Sequence, residues 1–191
     1  MSPRLFWSCL VGLPIAFIGW IGETGTYCPD CMALGRHRHS AERPPAVSLK
    51  MIASAETAYR ALKIDGKDAF WRADVAGLYA RRDGTGEALK ILYLGIAAAD
   101  DRPVTDLSSY AVRSAQGGYW FRAIRHTDED PQALDARRFA FCAFPDSPSA
   151  GTYVFIVDER GTVFRAAANG RRSINRFPTQ EELETSWSPV N

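Results

Sequence analysis

A chain of 191 residues is long enough for one domain with a buried core and further segments beside it. Its 23 basic and 22 acidic residues nearly cancel, to a net +1, so it lacks the clearly basic surface of a nucleic-acid binder, and no nucleic-acid partner is expected. With 46% hydrophobic residues the composition is globular, and four cysteines are too few for a disulfide scaffold.

Residues 5–22, LFWSCLVGLPIAFIGWIG, carry no charge and follow the basic start Met1-Ser2-Pro3-Arg4. About 18 apolar residues sit at the short end for a membrane span. A secretory signal has the same anatomy, but no small-x-small site precedes Tyr27, where Trp20, Ile21 and Glu23 stand instead. An uncleaved signal anchor is therefore preferred over a cleaved signal or a buried helix. Pro14 is compatible with a spanning helix. Arg4 lies before the span; Arg36, Arg38 and Arg43 lie farther beyond it, and Glu23 follows it at once. Flanking charge alone does not set the orientation.

The stretch 27–40, YCPDCMALGRHRHS, pairs Cys28 with Cys31 and carries His37 and His39. Two cysteines at this spacing can turn both sulfurs toward one metal, and the two histidines could complete a tetrahedral zinc site. The two histidines are only two apart, no second cysteine pair exists, and Met32 stands where knuckles favour glycine. A plain disulfide or inert thiols, and a redox pair with one lowered thiol pKa, stay open beside zinc. The basic run Arg36-His37-Arg38-His39 also reads as a solvated linker or a patch for anionic headgroups.

Pro44-Pro45 reads as a stiff break and a domain boundary. Ser48 offers an N-cap for a helix through about Lys63, with Leu49, Ile52, Ala55, Tyr59 and Leu62 as its apolar stripe. Residues 70–79 read as irregular. A second helix is expected over 87–99, apolar at Leu89, Leu92, Ile96 and Ala99, and stopped by Pro103. Then come strands: 119–125, the alternating aromatic run 139–144, and the dense β-branched run 152–157 that suits a strand buried on both faces. Asp158-Glu159-Arg160-Gly161 is a hairpin turn, and 162–165 is the returning arm. Thr179 and Glu182 form a capping box that opens a short helix through about Trp187, which is expected to dock on the sheet.

Single residues offer little chemistry. Cys142 lies within a strand and reads as a small buried hydrophobe. His126 reads as a strand-end surface residue. Asp128, Glu129 and Asp130 lack the alternating ligands and glycine of a calcium loop and read as solvated. No phosphate-cradling glycine loop, serine-histidine-aspartate elbow or zinc-protease motif occurs. No enzyme and no certain cofactor is expected.

The segments LKMIASAETAYRAL (49–62), DVAGLY (74–79), GGYWFRAI (117–124), FAFCAFP (139–145) and GTYVFIVDERGTVFR (151–165) carry a resemblance. In this order they resemble pilins, type II secretion pseudopilins and a family of bacterial envelope proteins with a pilin-like globular part. The resemblance implies a domain outside the cytoplasmic membrane, with no known activity. The chain lacks the pilin processing site: Glu23 lies beyond the apolar run, and Pro44-Pro45 interrupts the way into the next helix.

The expected fold is α+β: a long N-terminal amphipathic helix packed on a small antiparallel sheet of about four strands, pilin-like, and preceded by a membrane-anchor helix. The expected segments are a signal anchor over 1–24, a Cys-x-x-Cys linker over 25–47 and the α+β domain over 48–191. The expected function is that of a non-enzymatic, single-pass envelope protein, with residues 5–22 in the membrane and a domain that binds another protein. The alternative is an envelope metal-binding or thiol-redox protein acting through Cys28 and Cys31, and the third option a pseudopilin-like fibre subunit. A site of Cys28, Cys31, His37 and His39 would give about one zinc per purified chain and its loss in Cys28→Ser. Equal zinc in both proteins would end the metal alternative.

Overall fold

The computed structural model describes residues 36–126, 137–170 and 173–190, with side chains from residue 44 onward. Helix α1 (Arg36–Ala61) buries Ala46, Leu49, Ile52, Ala53, Ala55 and Tyr59. Those positions recur every three or four residues, as one face of a helix requires. The helix does not start at Ser48 or break at Pro44-Pro45; both prolines lie inside it. Each proline removes a backbone donor and crowds the carbonyl four residues back. The turns that follow are held instead by Ala46, Leu49 and Ile52, which are buried in the core. At the far end Lys63 takes a left-handed φ of 47°, and Leu62, expected on the buried stripe, is 65% exposed.

Two short helices follow, α2 (Gly77–Ala80) and α3 (Leu94–Ala98). The helix expected over 87–99 is reduced to α3. Asp83 explains the loss: its Oδ1 accepts the amides of Thr85 and Glu87, which closes a tight turn. The chain then runs back beside itself, with the Leu89 and Lys90 amides bonded to the carbonyls of Arg81 and Tyr79.

The strands are β1 (Tyr119–Ala123), β2 (Arg125–His126), β3 (Ala140–Pro145), β4 (Tyr153–Asp158), β5 (Phe164–Ala167), β6 (Arg176–Phe177) and β7 (Ser188–Pro189). The main sheet is antiparallel in the order β1-β3-β4-β5-β7. Its centre is set by register: Phe141 lies opposite Val157, Cys142 opposite Ile156 and Ala143 opposite Phe155. Alternation divides these strands between two cores. Phe139, Phe141, Ala143, Phe155 and Val157 share one with α1. Ala140, Cys142, Phe144, Val154 and Ile156 face the other, closed by Phe177 and by Leu183 of α4 (Gln180–Ser186). Thr179 and Glu182 form their capping box at the start of α4, and Trp187 packs on this second core.

The pilin-like layout of one long helix over about four strands is therefore corrected. Among the described residues the sheet has five strands, it is covered on both faces, and all helices after α1 are short. The fifth strand, β7, returns from the C-terminus to pair with β5, and β6 pairs in parallel with β2. Neither β6 nor β7, each two residues long, carries a periodic pattern long enough to be read in advance. The expected anchor over residues 1–24 lies outside the described residues. Among the described residues no helix is long and apolar enough to cross a membrane.

Phe155 is fully buried and Leu62 is not. Phe155→Ala is expected to cost about 3–5 kcal/mol in urea unfolding. Leu62→Ala should stay within about 0.5 kcal/mol.

Candidate functional site

Three buried carboxylates position the irregular residues 71–77. Glu56 lies on the buried face of α1 with no exposed surface. Its Oε2 accepts the Trp71 amide at 2.8 Å and its Oε1 the Arg72 amide at 3.0 Å. Arg72 is held at a φ of 44°, a conformation costly to a residue with a side chain. Asp74 accepts from the Trp71 indole, the Gly77 amide and the amides of Val104 and Thr105. Asp100 accepts the Val75 and Ala76 amides on Oδ2 and the Arg102 amide on Oδ1. Irregular backbone has no ladder of its own to satisfy its donors, and these oxygens replace one.

Trp71 is fixed from several sides. The Arg81 guanidinium lies 4.2 Å above its ring, and Tyr59 is 6.0 Å from it. Gly77 makes room for the indole, since a Cβ there would sit 2.2 Å from Nε1. Tyr59 in turn donates its hydroxyl to Asp65, which also accepts from Arg81.

The loop so held forms one wall of a groove whose other wall is the edge of β1 and its continuation. One end is a cleft of about 320 Å³ between Trp71, Arg72 and Ala73 and residues 123–126, Arg138 and Phe139. The other, about 330 Å³, is lined by Ala73, Arg102, Arg122, Ala123, Ile124, Arg125 and Asn175. Both ends share Ala73, Ala123, Ile124 and Arg125. Among the described residues the lining holds five arginines and no carboxylate. Asp101, outside that lining, pairs with Arg122 and lies 3.7 Å from Arg102.

At one end of the groove, as part of its lining, stands His126. It is 6% exposed rather than on the surface, because the parallel pairing of β2 with β6 puts Phe177 beside it, ring centroids 5.1 Å apart. Its Nδ1 accepts from Arg138 at 2.7 Å, and its Nε2 lies 3.1 Å from the Phe139 carbonyl. That network assigns the hydrogen to Nε2. Glu159 lies 3.3 Å from the same nitrogen and 3.5 Å from Arg138. A second cleft of about 540 Å³ opens here, between Glu159, Arg160, Phe177, Pro178 and Leu183.

Of the residues singled out in the sequence, Cys28 and Cys31 lie outside the described residues. So does the acidic stretch 128–130. His37 and His39 fall in the first turn of α1, where only the backbone is described. Among the described residues no group of three or more histidine, cysteine or acidic side chains could hold a metal. Cys142 is buried, and burial pushes its thiol up to about 12, away from reactive thiolate. The groove residues Arg72, Arg102, Ala123 and Arg125 escaped notice in the sequence. Its only trace is arginine recurring beside aromatic residues, in FWRAD and YWFRAIR.

No protein-family model, no curated protein and no solved structure matches the chain.

Burial pushes Glu56 up to about 7 and Asp100 up to about 6, against the opposing pull of the amides they accept. A carboxyl raised in this way binds its proton more tightly folded than unfolded. Its contribution to stability is then full below its ordinary value and is lost progressively as pH rises to about 6 for Asp100 and about 7 for Glu56. The stability of the protein relative to Glu56→Gln should therefore fall by on the order of 3 kcal/mol from pH 4.5 to 7 and level off above. A difference independent of pH would show that Glu56 does not titrate in this range.

Proposed function

We propose that this chain is a non-enzymatic envelope protein, held in the cytoplasmic membrane by residues 5–22, whose outward domain binds another protein. The groove carries the reading. It is a concave, arginine-lined strip walled by backbone that several buried carboxylates hold in place. Preformed surfaces of this kind bind without first having to order themselves. The arginine side chains suit interfaces, because their planar donors meet carboxylates in pairs.

The buried histidine supports binding over catalysis. Both ring nitrogens of His126 are occupied by Arg138 and by the Phe139 carbonyl, which leaves neither to act as a base. The Cys142 thiol is sealed in the second core. The membrane part rests on the uncharged run after Arg4.

Two measurements test this reading. Protease added to intact spheroplasts should digest the domain and leave a membrane-protected fragment. Full protection until lysis would place the domain on the cytoplasmic side. A photo-crosslinker at Ala73, which is exposed and lines both ends of the groove, should trap a protein partner in cells, and Arg102→Glu with Arg125→Glu should reduce the adduct about tenfold or more. An adduct indifferent to both charge reversals would take the groove out of the interface.

A further inference from the structure

On β1 the backbone groups of alternate residues turn away from β3 toward a neighbouring lane. At Tyr119 that lane is filled by Gln116, which exchanges both backbone hydrogen bonds with it. At Phe121 it is filled by the segment after α3: the Phe121 amide donates to the Ala99 carbonyl at 2.9 Å, and the Asp101 amide donates to the Phe121 carbonyl at 2.8 Å. At Ala123 no described residue fills the lane. Among the described residues the outward amide and carbonyl of Ala123 have no hydrogen-bond partner, and Ala123 lines both ends of the groove. Ile124 turns back inward and donates to the Ala140 carbonyl.

We infer that the partner docks as an extended acidic segment, which pairs its backbone with Ala123 and its carboxylates with Arg102 and Arg125. This rests on the proposed docking function and names its mode. A strand entering this lane continues the line begun by residues 99–101 and meets one donor and one acceptor in the spacing a strand supplies. Its side chains alternate, so every second one faces the same wall. The arginines there select carboxylates. Arg125 is exposed, and the Arg102 side chain is 72% exposed. Arg122 is buried and held by Asp101 and Asn175, so it shapes the wall and takes no carboxylate of the partner. The opposite edge of the sheet does not offer this chemistry, because β7 ends in Pro189, which has no amide to donate.

The probe is a fluorescein-labelled peptide, Glu-Val-Glu-Val-Glu, titrated by anisotropy against the full chain in neutral detergent micelles. It should bind, weaken with added salt, and weaken about tenfold or more with Arg102→Glu and Arg125→Glu. The same peptide N-methylated at its central glutamate should also bind about tenfold more weakly or worse, because the methyl group removes the donor aimed at the sheet edge. That arm leaves the protein unchanged, so no folding defect can imitate it. The lysine counterpart should not bind. Equal binding of the N-methylated peptide, equal binding of the lysine peptide, or no binding of the acidic one would each overturn the inference. An Ala73 crosslink to a protein partner that the acidic peptide fails to displace would overturn it too, while leaving the docking reading intact.

Discussion

Glu56 puts a carboxylate on the buried stripe of α1, where an apolar residue would extend the core, and the walls of the groove follow from that choice. Taking a carboxylate out of water costs several kcal/mol unless its oxygens are matched by donors. Here the donors are the amides of Trp71 and Arg72, which belong to no ladder. Each side resolves the other's problem: the carboxylate is solvated by backbone, and the irregular backbone is satisfied by the carboxylate. The same exchange recurs at Asp74 and Asp100, so residues 71–77 are tied both to α1 and to residues 100–105. Removing any one of these oxygens strands buried amides, which is costlier than losing an ordinary hydrogen bond.

The sheet supplies the other wall and sets where the groove can lie. Both its faces are covered, so the surfaces left for recognition are its edges and the loops. One edge ends in a short strand with proline. The other is sealed at Tyr119 and Phe121, and among the described residues nothing pairs with it at Ala123. A fully open edge would invite pairing with any extended chain; an opening one residue long, bordered by arginines, limits the choice by length and by charge. Affinity then comes from a few aligned groups, as is common for peptide recognition by strand addition.

What the sequence revealed and what it hid have separate physical origins. The spacing of Leu49, Ile52, Ala55 and Tyr59 encodes a helix face, and the box at Thr179 and Glu182 encodes a helix start, because both are local rules. The β-branched run around Ile156 encodes a doubly buried strand, because burial on two faces removes alternation. Strands β6 and β7 were illegible, since two residues carry no period. The helix expected over 87–99 failed because Asp83 closes a turn whose acceptors outweigh the apolar spacing of Leu89 and Leu92. The groove was hidden for a different reason. Glu56 follows Ala55 of the apolar stripe without belonging to it, and its two partners stand fifteen and sixteen residues away. Nothing in residue order says that Arg72, Arg102 and Arg125 meet across one strip.

Amide hydrogen exchange on the protein and on Glu56→Gln tests most directly whether one side chain on α1 holds up this wall. If it does, the amides of Trp71 and Arg72 are protected in the parent and exchange much faster in the variant, while those of β3 and β4 keep their rates. Unchanged protection at Trp71 and Arg72, or an equal loss of protection across the whole sheet, would contradict it.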